Sequence, residues 1–109
     1  MTQTTAIPPA ETLLLQSLIT PTPGGIASRV LAKKAGGNVT LFAFDGGQGL
    51  TEHTTPYDAM VLVLEGRIVL TIGGGPVDAV PGSVVVMPGN VPHAVEAAEA
   101  SRMLLIMLK

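Results

Sequence analysis

The chain has 109 residues, 47% hydrophobic and only 13% charged, which predicts one folded domain with a single core and excludes intrinsic disorder. Its formal net charge of -2 and its six lysine and arginine residues leave no basic surface for a phosphate backbone, so we expect no nucleic-acid partner. The absence of cysteine excludes disulfides, thiolate metal sites and cysteine nucleophiles.

Residues 1–25 differ from the rest and are interpreted as an N-terminal extension. The first residues, Met1 to Thr5, lack the basic and apolar stretches of a secretion signal. The longest apolar runs in the chain have six residues, whereas a membrane helix needs about 20, so we expect a cytoplasmic protein with no membrane partner. Leu14, Leu15 and Leu18 fall on one side of a helix, which predicts a short helical segment within residues 10–19.

From Ile26 onward, short apolar runs alternate with turns rich in glycine and proline. This pattern predicts a domain over residues 26–109 that is all-β, with about eight antiparallel strands in a sandwich or barrel. The predicted strands span residues 26–33, 38–44, 60–64, 67–72, 77–80, 83–87, 94–97 and 102–108. No segment between them can hold a crossover helix, which argues against a parallel α/β sheet.

Two of these strands are apolar on both faces. Val84 to Met87 and Met103 to Leu108 have no polar side. In a one-domain antiparallel protein one sheet face normally meets water. We therefore expect the outer face of one sheet to pack on a second copy of the chain, giving a homodimer.

Two segments resemble the conserved motifs of the cupin superfamily. The stretch from Gly46 to Gly66 resembles the first motif, G-x5-H-x-H-x3,4-E-x6-G, with Gly47 followed by His53. The stretch from Gly82 to His93 resembles the second, G-x5-P-x-G-x2-H-x3-N. The resemblance implies a small single-domain cupin of the conserved-barrel type, whose fold is a double-stranded β-helix, or jelly-roll barrel.

The resemblance also implies metal ligands, but this chain keeps only part of the set. Metal-binding cupins take two histidines and a glutamate from the first motif and one histidine from the second. Here His53 and His93 stand at the first and last histidine positions, whereas Thr55 and Ala59 replace the second histidine and the glutamate. Ala97 stands where the second motif has asparagine.

The two histidines are the only ones in the chain, and both fall on family ligand positions. This coincidence favours a shared ligand pocket of His53, Thr55 and His93, in which the two histidines are the candidate metal ligands. Further candidate donors are Glu52, Tyr57 and Asp58. Strand alternation points Glu52 away from His53, and a shift of one residue points Asp58 outward, unless a bulge reverses either assignment.

Three functions fit these residues, and a binding module for a small molecule ranks first, because apolar walls with few polar anchors are typical of ligand sites. The second is a metal-dependent enzyme of dioxygenase, isomerase or lyase type, with one divalent ion of iron, nickel, manganese or zinc on His53 and His93. The third is a metal-free acid–base enzyme. No cofactor follows from the residues alone, and Met87, Met103 and Met107 are interpreted as core-filling side chains.

Overall fold

The computed structural model describes residues 7–109 as nine β-strands and a single 3-10 turn. The strands are β1 (Ile26–Lys34), β2 (Gly37–Phe44), β3 (Gly49–His53), β4 (Asp58–Glu65), β5 (Ile68–Ile72), β6 (Gly75–Ala79), β7 (Val84–Met87), β8 (His93–Ala97) and β9 (Ser101–Leu108). Each predicted strand has its counterpart here, which confirms the all-β prediction. Strand β3 was not predicted.

The strands form two antiparallel sheets that face each other. One sheet has the order β1-β2-β9-β4-β7 and the other β3-β8-β5-β6. The chain changes sheet after β2, β3, β4, β6, β7 and β8, so that strands distant in sequence become neighbours. This exchange between two sheets is the jelly-roll, or double-stranded β-helix, architecture, and it confirms the predicted fold class.

The main core lies between the inner faces of the two sheets. Its largest side chains are at most 2% exposed, and they include Phe44, Val61, Val63, Ile68, Leu70 and Met103. The ring of Phe42 stacks on that of Phe44, with centroids 5.7 Å apart. Burial of each such side chain stabilises the fold by about 1.5–3 kcal/mol. The core therefore fixes the relative positions of the strands that carry the candidate site.

The predicted helix over residues 10–19 is wrong. Only one 3-10 turn forms, at Leu15–Ser17. The three leucines do not share one buried face, because Leu14 is 62% exposed while Leu15 and Leu18 are half-buried. A helix of about ten residues is marginal by itself. The guanidinium of Arg29 also donates to the carbonyl of Leu18 at 3.1 Å. This bond connects the segment to β1, and the segment forms only the single 3-10 turn.

Residues 7–25, called here the N-terminal strap, cover part of the outer face of the five-stranded sheet. The backbone N–H of Ile7 donates to the carbonyl of Leu31 at 3.4 Å. Leu31, Leu41 and Ala43 are at most 7% exposed, yet none belongs to the main core. In the sheet Leu41 lies opposite Leu104, on the face away from the barrel interior. The strap therefore creates a second, smaller apolar layer outside the barrel.

Asp45 fastens the end of the strap to the turn after β2. Its carboxylate accepts hydrogen bonds from the backbone N–H of Gly24 at 2.6 Å and of Gly46 at 2.9 Å. The bond from Gly24, and to a lesser extent the bond from Gly46, holds the pKa of Asp45 below its ordinary value of 3.8.

A carboxyl whose pKa is lower in the folded state stabilises the fold above its unfolded pKa, near 4, and loses this contribution as the pH falls through the folded pKa. We therefore expect Asp45→Asn to lower the free energy of unfolding at neutral pH, with a difference from the wild type that shrinks below about pH 4. Urea unfolding of both proteins across this range measures the effect. A difference that stays constant with pH would contradict it.

No helix among residues 7–109 is both long enough and apolar enough to cross a bilayer.

Candidate functional site

His53 and His93 meet where β3 ends and β8 begins. The two residues are opposite each other in the antiparallel register, although they are 40 positions apart in sequence. Their Nε2 atoms lie 3.1 Å apart, and the rings are 4.4 Å apart between centroids at an angle of 70°. His93 is 4% exposed, whereas His53 is exposed. One imidazole is therefore inside the barrel and the other is at its mouth.

A β-bulge in β3 turns His53 toward the pocket. The register shifts between Leu50 and His53, so that three positions on β3 match two on β8. Without the extra residue, Leu50 and His53 would point to opposite faces. With it, both line the same pocket. The bulge leaves Glu52 exposed and outside the pocket lining.

Both imidazoles are oriented by backbone carbonyls. Nδ1 of His53 lies 2.8 Å from the carbonyl oxygen of Thr51, and Nδ1 of His93 lies 3.1 Å from that of Val91. A carbonyl oxygen only accepts, so each Nδ1 carries a proton and donates it. In a neutral imidazole the other nitrogen is then an acceptor with a free lone pair. Two lone pairs would repel each other at this 3.1 Å separation, so the contact needs either a proton on one Nε2 that is donated to the other, or a cation or donor group placed against both nitrogens.

The pocket around the histidine pair is narrow and mostly apolar. It is lined by Leu50, His53, Thr55, Ala59, Met87, His93, Val95, Leu105 and Met107. The space open to the centre of a water-sized sphere is about 20 Å³, which is room for roughly one water molecule or ion. Two larger cavities, of about 360 and 320 Å³, adjoin the N-terminal strap and include neither histidine in their walls.

The remaining candidate donors occupy other places. Thr55 lines the pocket, and its hydroxyl donates to the carbonyl of Tyr57 at 3.2 Å. Asp58 accepts a hydrogen bond from the backbone N–H of Gly89 at 2.8 Å. Tyr57 is 38% exposed, and its ring lies 5.7 Å from the ammonium group of Lys109. Of the polar residues named from the sequence, the pocket thus brings together only the two histidines and Thr55.

The loop before β8 holds His93 in place. The backbone N–H of Asn90 donates to the carbonyl of Thr55 at 2.6 Å, and that of Gly73 donates to the carbonyl of Pro92 at 2.8 Å. Asn90 adopts a φ of 64°, a left-handed conformation that asparagine tolerates better than most residues. The second motif has glycine at this position. The loop can therefore keep its conformation without glycine.

A divalent metal ion fits these residues only in part. Two nitrogens 3.1 Å apart can share an ion about 2.0–2.1 Å from each, and histidines oriented by carbonyls are typical metal ligands. Within residues 7–109, however, no three His, Cys, Asp or Glu side chains come together as a metal-binding group. A divalent ion would have to complete its coordination with water, a bound ligand or other kinds of side chain.

Two pocket residues, Met87 and Met107, were not identified from the sequence as part of the site. Both are on the pocket wall, although Met87 also belongs to the main core. The available signal was strand alternation, since residues two apart share a face and Val85 and Leu105 also point inward. Alternation alone does not say which inward residue reaches the histidines.

Comparisons with known proteins place this geometry in context. The family model described as "Cupin domain" matches residues 40–109. A conserved protein of unknown function from Streptococcus pyogenes is 35% identical, with a TM-score of 0.89, over 94% of this chain and 90% of that one. A cupin superfamily protein from Desulfitobacterium hafniense is 30% identical, with a TM-score of 0.87, over 94% of each chain.

A cupin 2 conserved barrel domain protein from Leptotrichia buccalis is 36% identical, with a TM-score of 0.82. The match covers 86% of this chain and 46% of that one, so the present barrel corresponds to about half of that protein. No curated protein matches the chain.

Proposed function

The chain belongs to the cupin family, and we propose that its barrel pocket binds a small ligand between the imidazoles of His53 and His93. The observation that carries this proposal is that the two Nε2 atoms lie 3.1 Å apart. The Nδ1 atom of each ring is already hydrogen-bonded to a backbone carbonyl, which leaves the Nε2 atoms to contact a ligand. Two nitrogens that converge in this way can both contact one hydrogen-bond donor or cation beside them, which would replace the hydrogen bond that they otherwise make to each other.

The pocket wall supports a ligand that is small where it touches the histidines. About 20 Å³ admits a single ion or one polar group of a molecule whose remainder lies toward the mouth at His53. No Arg or Lys lines this pocket, which disfavours a phosphorylated or strongly anionic ligand. The proposed ligand is therefore neutral or cationic at the end that enters.

The alternative function is a metal-dependent enzyme of dioxygenase, isomerase or lyase type. The same two Nε2 atoms favour it, because they converge and because a carbonyl orients each ring through Nδ1, as in ligating imidazoles. A bound metal would supply Lewis-acid chemistry to a substrate oxygen. In that case His53 and His93 would hold the ion, and Thr55 would lie beside the substrate.

Variants of the two histidines test the proposal. We expect His53→Ala and His93→Gln each to reduce ligand or metal binding at least about tenfold, because each removes one of the two convergent acceptors. Elemental analysis of untagged protein, followed by calorimetric titration with iron, nickel, manganese and zinc salts, measures metal binding. A small-molecule screen by thermal shift covers neutral and cationic ligands.

Asp58→Asn is the matched control, since Asp58 bonds Gly89 rather than the pocket. Thermal unfolding shows whether each variant is folded. His53 is exposed, so its replacement leaves packing intact and separates loss of binding from loss of structure. Binding that is unchanged in both histidine variants would contradict the proposal.

A homodimer is the second part of the proposal. Two rows of apolar side chains cross the outer face of β7, β4 and β9, and we call them the outer apolar patch: Val86, Met60 and Ile106 in one row, and Val84, Leu62 and Leu104 in the other. Val84 and Val86 are 53% and 54% exposed. A twofold dimer covers the same patch on both copies with one contact, which is the commonest symmetry of soluble oligomers.

Lysine at position 86 should weaken this dimer. Because a charge without a partner would be buried at the interface, we expect Val86→Lys to raise the dimer Kd by about 100-fold or more. Sedimentation equilibrium at micromolar concentration measures it, and Val80→Lys is the control, since Val80 is equally exposed at 51% but lies in the turn before β7. A wild-type protein that is monomeric under these conditions would overturn the dimer.

A further inference from the structure

The residue that replaces the family glutamate is flanked by two methionines. In the five-stranded sheet Ala59 lies opposite Met87 on β7 and opposite Met107 on β9, so the three form one row. All three line the histidine pocket. Ala59 is 3% exposed and Met87 is 2% exposed. The space in which a carboxylate would lie is therefore bordered by thioethers.

The donor set of this pocket is soft and neutral. Thioether and imidazole ligands carry no charge, and soft ligands of this kind select the cuprous ion, whereas magnesium and manganese prefer carboxylate, carbonyl or water oxygens. The nearest candidate carboxylates, Glu52 and Asp58, are not part of the pocket lining. No negative charge in the lining would compensate a buried cation.

The charge of the ion decides between metals in such a pocket. The free energy needed to bury an ion in a medium of low dielectric constant rises with the square of its charge, so a divalent ion costs about four times as much as a monovalent one. With the buried imidazole of His93 and an apolar wall around it, this difference strongly favours a monovalent cation.

The chain also contains a methionine that serves packing alone. Met103 is fully buried, belongs to the main core and is not in the lining of the histidine pocket. It lies on β9, four residues before Met107 and on the same inward face. The two kinds of methionine therefore occur on one strand, and the same substitution can be made at each.

We propose that His53, His93, Met87 and Met107 form a site for one cuprous ion, distinct in ligand type from the carboxylate-containing site of the family. This inference rests on the proposed function in that it uses the histidine pair as the ligand anchor. It goes further by naming the chemical class of the ligand. It also changes the interpretation of Met87 and Met107 from filler to ligand.

The test is a competition titration of the untagged protein with cuprous ion, under anaerobic reducing conditions, against the chromophoric chelator bicinchoninate. We expect one equivalent to bind, with zinc binding weaker by about 1000-fold when measured with a zinc indicator. Met87→Leu and Met107→Leu should each weaken cuprous binding by about tenfold or more, while Met103→Leu leaves it unchanged. X-ray absorption should show sulfur scatterers in the wild type and fewer in either of the first two variants.

Methionine and leucine have similar volumes, so all three variants should remain folded, and thermal unfolding checks this. Equal cuprous affinity in the Met87, Met107 and Met103 variants would overturn the soft site. Zinc affinity equal to cuprous affinity would also overturn it. In both cases a loss of binding in His53→Ala would leave the histidine pocket of the proposed function standing, whereas cuprous binding that survives His53→Ala and His93→Gln would reject both.

Discussion

Replacing Gly66 with alanine is expected to lower the free energy of unfolding by about 4 kcal/mol or more, which is at the upper end for a single substitution. Gly66 has a φ of 80°, where an L-residue costs about 1–2 kcal/mol. In addition, a Cβ there would overlap the hydroxyl of Ser101 and the carbonyl of Ala100, and would lie 2.7 Å from the Cα of Ser101. The start of β9 would have to move.

That movement breaks other contacts. The hydroxyl of Ser101, which is buried, accepts a hydrogen bond from the backbone N–H of Arg67 at 3.0 Å and donates to the carbonyl of Glu99 at 2.7 Å. The bond from Arg67 joins the β4–β5 corner to β9, and the bond to Glu99 holds the turn before β9. The corner is where the chain passes from one sheet to the other, so its displacement loosens both sheets.

Gly82→Ala is the matched control for this effect. Gly82 has a φ of 84°, almost the same as that of Gly66, but nothing lies within 4 Å of the position that its Cβ would take. We expect a loss of only about 1–2 kcal/mol, from backbone conformation alone. Urea unfolding of both variants measures the difference, which isolates the steric contribution. Equal losses at the two positions would show that the close approach at Gly66 is relieved without cost.

The substitution Thr55→His is expected to raise the affinity of the pocket for zinc by about 100-fold or more, because three convergent imidazoles make a zinc site that two do not. Thr55 lines the pocket with His53 and His93, so its replacement points at the same space. Adding Ala59→Glu should raise the affinity for manganese as well, since a carboxylate suits harder ions. Indicator competition measures both.

The control for this prediction is Thr54→His. Thr54 is the neighbouring residue, is exposed, and is not part of the pocket lining. Equal zinc affinities for the two single variants would mean that Thr55 does not occupy the second histidine position of the motif. The double variant should also be less stable than the wild type without metal and recover stability with it, because Ala59 is 3% exposed and a carboxylate there would be buried.

Most of the fold follows from the order of apolar runs and turn residues. The strands on either side of Gly66 are an example, because Ile68, Leu70 and Ile72 share a face and the glycine allows the turn. Strand β3 did not follow, since its bulge removes the alternation by which a short strand is recognised. The helix in residues 10–19 was wrongly predicted because a segment of about ten residues is marginal as a helix by itself, and here Leu14 is exposed while Leu15 and Leu18 are half-buried.

The site was harder to predict than the fold. The motif positions identify His53 and His93, but periodicity carries no information on which residues of distant strands lie opposite each other. The same limit applies to the row of Met87, Ala59 and Met107, which joins three strands. The expected homodimer and the bound ligand remain predictions, each with an experiment above.

The position of β9 in its sheet has a consequence for how the barrel folds. β9 pairs with β2 on one side and with β4 on the other, so the strand that is synthesised last among the nine lies in the middle of the five-stranded sheet. On a ribosome, β2 and β4 cannot find their shared neighbour until residue 108 has left the exit tunnel. β1 can already pair with β2, and β7 with β4, but β2 and β4 each keep one edge unpaired during that time, at a synthesis rate of about 5–20 residues per second. Completion of the barrel therefore waits for β9, and pairings this distant in sequence form slowly, on the order of milliseconds to seconds.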